Sequence, residues 1–185
     1  GVAWFDDDRG RWTTSAWYRG DEKMPEWLRA WNDAHAPDAS FGAKWDFAGG
    51  PSALARLWIP PGDPRPDGFS FTLGAGKPLS KGGEGPDAKV FYRSWAATPF
   101  ANEWALQSAL RGVKSEGLGQ DAVPDLLTIN LSPNDYVGHG YGPDSAQVLD
   151  ITVRTDRMLA EFLAGIDAAV PGGLAQCVLV LTSDH

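Results

Sequence analysis

The sequence predicts an α/β domain: a mostly parallel sheet flanked by helices, interrupted by an irregular insertion rich in proline and glycine. Three observations carry that prediction. Residues 126–131 and 177–181 are short, almost wholly apolar runs. A long segment of helical periodicity separates them. Strand, helix, strand with strands apolar on both faces is the pattern of a βαβ unit in a sheet covered on both sides. The insertion follows from Pro60-Pro61-Gly62-Asp63-Pro64-Arg65-Pro66 and Gly82-Gly83-Glu84-Gly85-Pro86, a density that excludes long helices and central strands from residues 36–97.

Taken in order, residues 2–5 form an apolar strand, Asp6-Asp7-Asp8-Arg9-Gly10 a polar turn, and residues 12–18 the returning strand of a hairpin. Met24, Trp27, Leu28 and Trp31 fall on one helical face, and Pro25 suits its first turn. Residues 36–97 then read either as a lid or binding insertion or as an elaborated surface loop. All nine tryptophans lie at or before Trp104. Core packing is the expected use for them, and lining a cleft is the alternative.

From residue 98 the pattern is regular. Thr98 is a capping hydroxyl followed by Pro99, and Trp104, Leu106, Leu110 and Val113 continue an apolar face that Gly117 ends. Asp144 can cap the next helix, with Gln147 closing a capping box. Val148, Ile151, Leu159, Phe162, Leu163 and Ile166 mark its buried side, and Pro171-Gly172-Gly173 stops it. Cys177 opens the second apolar run as a core thiol.

The chain has 185 residues, 43% of them hydrophobic, enough for one domain with a sizeable core. The formal net charge of -8 excludes nucleic acid as a general partner, because an acidic surface repels a polyanion. A small phosphate ester is still admissible where metal ions reverse the local field. Cys177 is the single cysteine, so no disulfide forms within the chain. No apolar run approaches about 18 residues, so nothing in this chain reads as a membrane span. The sequence opens in an apolar run and closes on Asp184-His185, so remaining parts of the same polypeptide are expected on both sides.

Chemistry gathers just beyond the two apolar runs, where open α/β sheets place their sites. Ser132-Pro133-Asn134-Asp135-Tyr136-Val137-Gly138-His139-Gly140 follows the first, and Thr182-Ser183-Asp184-His185 the second. A carboxylate oxygen and an imidazole nitrogen are both zinc donors. Asp135 and His139 read as loop residues, with Gly138 and Gly140 letting the backbone fold both side chains onto one ion. Asp184 and His185 are adjacent, so sharing a metal requires the strand to break into a turn there. Each residue also has a plainer use, in a turn, a cap or solvent. Asp150 and Asp156, on the long helix, either support the ligands or pair locally. Lys77, Lys81 and Lys89 either steer an anion or are simply solvated.

The run from Pro124 to Ser145 resembles the D-x-x-G-H-x-x-G-P-x-S segment of nucleotide pyrophosphatases/phosphodiesterases, and is closer still to bacterial alkaline phosphatases on that scaffold. Leu179-Val180-Leu181-Thr182-Ser183-Asp184-His185 resembles their T-x-D-H-G strand end, and Thr98-Pro99-Phe100-Ala101-Asn102 their T-P-F/Y-x-N helix opening. The resemblance is strong over 87–185 and fainter over 1–60. It implies two Zn2+ ions about 4 Å apart. Asp135 and His139 would hold the first with a histidine far downstream. Asp184 and His185 would hold the second with an aspartate and a nucleophilic threonine upstream of Gly1. His35 sits in a context that does not match the missing histidine, and Thr13 and Thr14 lie outside the nucleophile's setting. Residues 1–185 are then part of a single catalytic domain, with 36–97 its insertion or lid. The implied activity is hydrolysis of phosphate monoesters through a phosphothreonine, in a periplasmic or secreted enzyme. Two alternatives stand beside it: a phosphodiesterase or nucleotide pyrophosphatase on the same scaffold, and a non-catalytic metal-binding domain that lost its nucleophile.

Overall fold

A computed structural model describes residues 1–19, 24–34, 36–57, 59, 61–62, 68–74 and 86–183. The expected hairpin forms from β1 (Trp4–Asp6) and β2 (Arg11–Thr13), antiparallel, with Phe5 opposite Trp12. Gly10 closes its turn at φ 63°, and the Tyr92 ring fills the space a side chain would need there. The returning strand is shorter than expected, and Ala16–Arg19 coil into a helical turn, α1. The Thr14 hydroxyl donates to the Val2 carbonyl at 2.6 Å, a structural task. Helix α2 (Glu26–Ala34) buries Leu28 and Trp31, as their spacing requires. Its Asn32 latches the hairpin from the side: the Oδ1 atom accepts the Trp12 N–H at 2.9 Å, and the Nδ2 group donates to the Trp12 carbonyl at 3.0 Å.

Residues 36–97 hold more structure than their composition suggests. A 3-10 turn at Pro37–Ser40 leads to β3 (Lys44–Asp46), the short α3 (Pro51–Leu54) and β4 (Ser70–Thr72), which pairs antiparallel with β3. The exclusion of long helices fails at α4 (Pro86–Ala96), which has 11 residues. Its physical basis is a stripe at helical spacing: Ala88, Phe91, Tyr92 and Trp95 are all buried. Pro86 is its first residue, where a missing N–H costs nothing.

The main core collects around Trp104 on α5 (Pro99–Glu116). Trp12 stacks on it with ring centres 4.8 Å apart, and Phe5 and Trp95 meet it edge-on at 5.6 Å each. Core packing is thus the principal use of the tryptophans, although Trp17 is 89% exposed. The Thr98 hydroxyl does not cap α5; it donates back to the Trp95 carbonyl at 2.6 Å. Gly117, at φ 66°, ends the helix as expected.

Helix α6 (Pro133–Tyr141) and helix α7 (Ala146–Ala169) complete the described elements with a 3-10 turn at Gly173–Gln176. The cap of α7 is Ser145, one residue after the expected Asp144, with its Oγ accepting the Val148 N–H at 3.2 Å. Ile151 and Ile166 are buried, and Val148, Leu159, Phe162 and Leu163 are half-buried, so the expected face is the one used. Leu110 of α5 lies directly over Gly165, where a side chain would block the approach of the two helices.

The mostly parallel sheet is not present among the described residues, whose two strand pairings are both antiparallel. Residues 124–131 and 177–183 have no ladder. A helix satisfies its own backbone, but a strand needs a neighbour to take its N–H and C=O groups. Neither run has one among the described residues, and their side chains stand open: Leu126 is 87% and Val178 93% exposed. Cys177 is half-buried, not a core thiol.

Candidate metal-binding site

Asp135 and His139 do not lie in a loop: both belong to α6. Pro133 occupies the first helical position, and Asp135 sits in the first turn, where the exposed N–H groups favour a carboxylate. His139 follows four residues later on the same side. The Nε2 atom of His139 lies 3.1 Å from Oδ1 of Asp135. Helix geometry, not bending at Gly138 and Gly140, brings the two side chains together. Nothing lies within 4 Å of where a side chain would begin at either glycine. The helical reading was available in the sequence, in the Ser132-Pro133 opening and in the i, i+4 spacing itself.

The His139 side chain is 77% and the Asp135 side chain 36% exposed, so both donors can reach an ion from solvent. A carboxylate oxygen and a ring nitrogen that converge this closely fit half of a tetrahedral zinc shell. Asp184, His185 and His35 lie outside the described residues. Among the described residues no three His, Cys, Asp or Glu side chains converge on one point.

Behind α6 lies a polar contact that sequence reasoning missed. Asn102 of α5 donates from Nδ2 to Asn134 Oδ1 at 2.8 Å and to Thr155 Oγ1 at 2.9 Å. Thr155 of α7 in turn donates to the Ile151 carbonyl at 2.7 Å. Val137, fully buried, packs with Trp45 and Ile151 in a second small core.

Asp150 pairs locally. Its carboxylate, 3% exposed, accepts from Trp45 Nε1, the Ala48 N–H and Arg154 Nε, each at 2.7 Å. Arg154 also donates to the Asp46 carbonyl at 2.8 Å, so the whole group ties the β3–β4 ribbon to α7. Asp156 is exposed on α7. Lys89 is engaged by Asp8 at 2.5 Å, and that hydrogen bond holds the Asp8 pKa below its ordinary value. Lys77 and Lys81 lie outside the described residues. Tyr92 donates to Asp38 at 2.6 Å; burial and that carboxylate raise its pKa, so it stays a donor. A cavity of about 1050 Å³ opens beside the start of α6, walled by Ser132, Pro133 and Tyr136 on one side and by Trp12, Trp95 and Trp104 on the other.

The profile of the family described as type I phosphodiesterase / nucleotide pyrophosphatase matches residues 4–185. Alkaline phosphatase PafA of Elizabethkingia meningoseptica is 29% identical over 192 residues, covering 100% of this chain and 33% of its own length. Alkaline phosphatase PhoV of Synechococcus elongatus is 26% identical, over 100% of this chain and 32% of its own. A protein of Myroides odoratus named a calcium-transporting ATPase is 29% identical over 98% of this chain and 32% of its own. The crystal structure of PafA superposes on 93% of this chain and 32% of its own with a TM-score of 0.69 at 30% identity. This chain thus spans about a third of the length of these relatives. It belongs to the type I phosphodiesterase / nucleotide pyrophosphatase family.

Proposed function

We propose that these residues form the central part of a catalytic domain that hydrolyses phosphate monoesters with the help of two zinc ions. The observation that carries this reading is the convergence of Asp135 and His139 at 3.1 Å on one face of α6. In it, the Asp135 carboxylate and the His139 imidazole hold one ion. Asp184 and His185 hold the other, an assignment that rests on their likeness to the family's T-x-D-H-G motif. A threonine outside this chain receives the phosphoryl group and passes it to water. Bound zinc would neutralise charge on the phosphoryl oxygens and on the departing oxygen. The names of PafA and PhoV as alkaline phosphatases support the monoester reading. A periplasmic or secreted location is proposed on the motif resemblance alone. The ATPase named among the relatives fits the same broader chemistry, since ATP is a phosphoric anhydride.

One observation favours a second reading. The cavity beside α6 is aromatic and reaches Tyr136, the neighbour of Asp135. An apolar wall there suits a second ester substituent, as in a phosphodiesterase. In both readings residues 36–97 act as the insertion that shapes substrate access.

The test compares kcat/KM of the complete polypeptide, supplied with zinc, for p-nitrophenyl phosphate and for bis-p-nitrophenyl phosphate. A large monoester preference is expected. A large diester preference would move the assignment to phosphodiesterase and keep the metal site. Tight zinc binding with no hydrolysis of either would make the domain a non-catalytic metal binder.

A further inference from the structure

We infer that Asn102, Asn134 and Thr155 form a three-helix clasp that fixes the rotation of α6 and so holds Asp135 and His139 toward one cation. The inference rests on the proposed metal site. It assigns to these three residues a positioning role.

Each of the three helices α5, α6 and α7 contributes one side chain to the contact. Asn102 is fully buried and Thr155 nearly so. Both hydrogens of the Asn102 amide are used, at 2.8 and 2.9 Å. Thr155 has a single hydroxyl hydrogen. Its closer acceptor is the Ile151 carbonyl at 2.7 Å, while Asn134 Oδ1 lies at 3.2 Å. Its lone pairs are therefore free to receive Asn102, so the three groups form one directed network.

Asn102 Oδ1 is buried and finds no partner among the described residues. What the amide supplies through Nδ2 is direction, since a hydrogen bond fixes orientation where an apolar contact does not.

Direction matters for α6. The helix has nine residues and contains Gly138 and Gly140, too short and too glycine-rich to define its own orientation. Its buried residues are Pro133 and Val137, one turn apart on one side. Apolar contacts have no direction, so these two leave a short helix room to roll about its axis. Asn134, next to Pro133 and three residues before Val137, adds a directional contact. With about 100° between successive residues, 134 and 137 share one side, and 135 and 139 share the opposite one. Anchoring 134 and 137 therefore sets where the two donors face.

The experiment uses the complete polypeptide, stripped of metal and titrated with zinc against a chromogenic chelator. Thr155→Val removes the hydroxyl at nearly constant shape; Asn134→Ala removes the half-buried partner without opening the core. Both should weaken zinc binding about 10-fold or more, as loss of a ligand-supporting group does. Thr155→Ser, which keeps the hydroxyl, should restore it. If Thr155→Val fails to fold, Asn134→Ala decides. Wild-type zinc affinity in the foldable variants, with or without a lower melting temperature, would overturn the clasp. His139→Ala serves as the reference. If it loses zinc while the clasp variants keep it, the metal site stands and the clasp falls. If it keeps all its zinc, the metal site itself falls.

Discussion

The core around Trp104 and the two runs at 124–131 and 177–183 are similarly apolar and have opposite fates. In the first, Phe5, Trp12, Trp31 and Trp95 close on one another, and polar latches such as Asn32 on Trp12 hold the pieces in register. In the second, Leu126, Val178, Val180 and Leu181 stand in solvent. The difference lies in how each element completes its backbone. Helices α4 and α5 form from local hydrogen bonds and bring their apolar stripes ready-made. A strand becomes one only beside another strand. Apolarity says that a segment gains from being covered; it does not say what covers it.

The largest effect should come from cutting into the first region. Trp95→Ala should lower unfolding free energy by about 3–5 kcal/mol. Leu126→Ala should change it by less than about 0.5 kcal/mol in the 185-residue chain. Urea unfolding of both variants checks the contrast; equal losses would erase it. In the complete polypeptide, a greater loss at Leu126 would show that the run gains cover there.

A smaller loss is expected where the β3–β4 ribbon meets α7. Asp150→Ala strands the Trp45 and Ala48 donors and the Arg154 guanidinium, and should cost about 3 kcal/mol. Asp150→Asn should fall between the variant and the parent. A neutral Asp150→Ala in thermal unfolding would mean that the β3–β4 ribbon is held by its aromatic contacts alone.

The smallest effect belongs to the surface pairs between the hairpin turn and α4. Lys89 holds the Asp8 pKa below its ordinary 3.8. The folded state therefore gains stability from Asp8 above that pH and loses it as pH falls through the lowered value. Lys89→Gln should lower the melting temperature slightly at pH 7. The difference should fade below the folded pKa of Asp8 and in about 1 M salt, where exposed charges are screened. A difference that survives both conditions would point to packing by the Lys89 stem.

The same division between local and distant partners governs what was legible in the sequence. The hairpin, α2, α5 and α7 were readable because their apolar faces repeat within a few residues. The start of α7 slipped by one because Asp144 and Ser145 are both competent caps. Helix α4 was hidden by the proline and glycine clusters before it, although Ala88, Phe91, Tyr92 and Trp95 carry its period. Helix α6 read as a loop because Pro133, Gly138, Gly140 and Gly142 fall within ten positions, yet Asp135 and His139 stood out as candidate donors by residue type. The clasp was not legible at all, since positions 102, 134 and 155 meet only when three helices pack. The parallel sheet was expected from two runs whose own sequences do not contain their neighbours.

The central claim is that Asp135 and His139 are metal ligands, and it is tested most directly by counting zinc. The complete polypeptide and its His139→Ala variant would be loaded with zinc, desalted and assayed for bound metal alongside p-nitrophenyl phosphate turnover. This account predicts that the variant loses about one zinc equivalent and nearly all turnover while its fold persists. Undiminished zinc and undiminished turnover in the variant would contradict it.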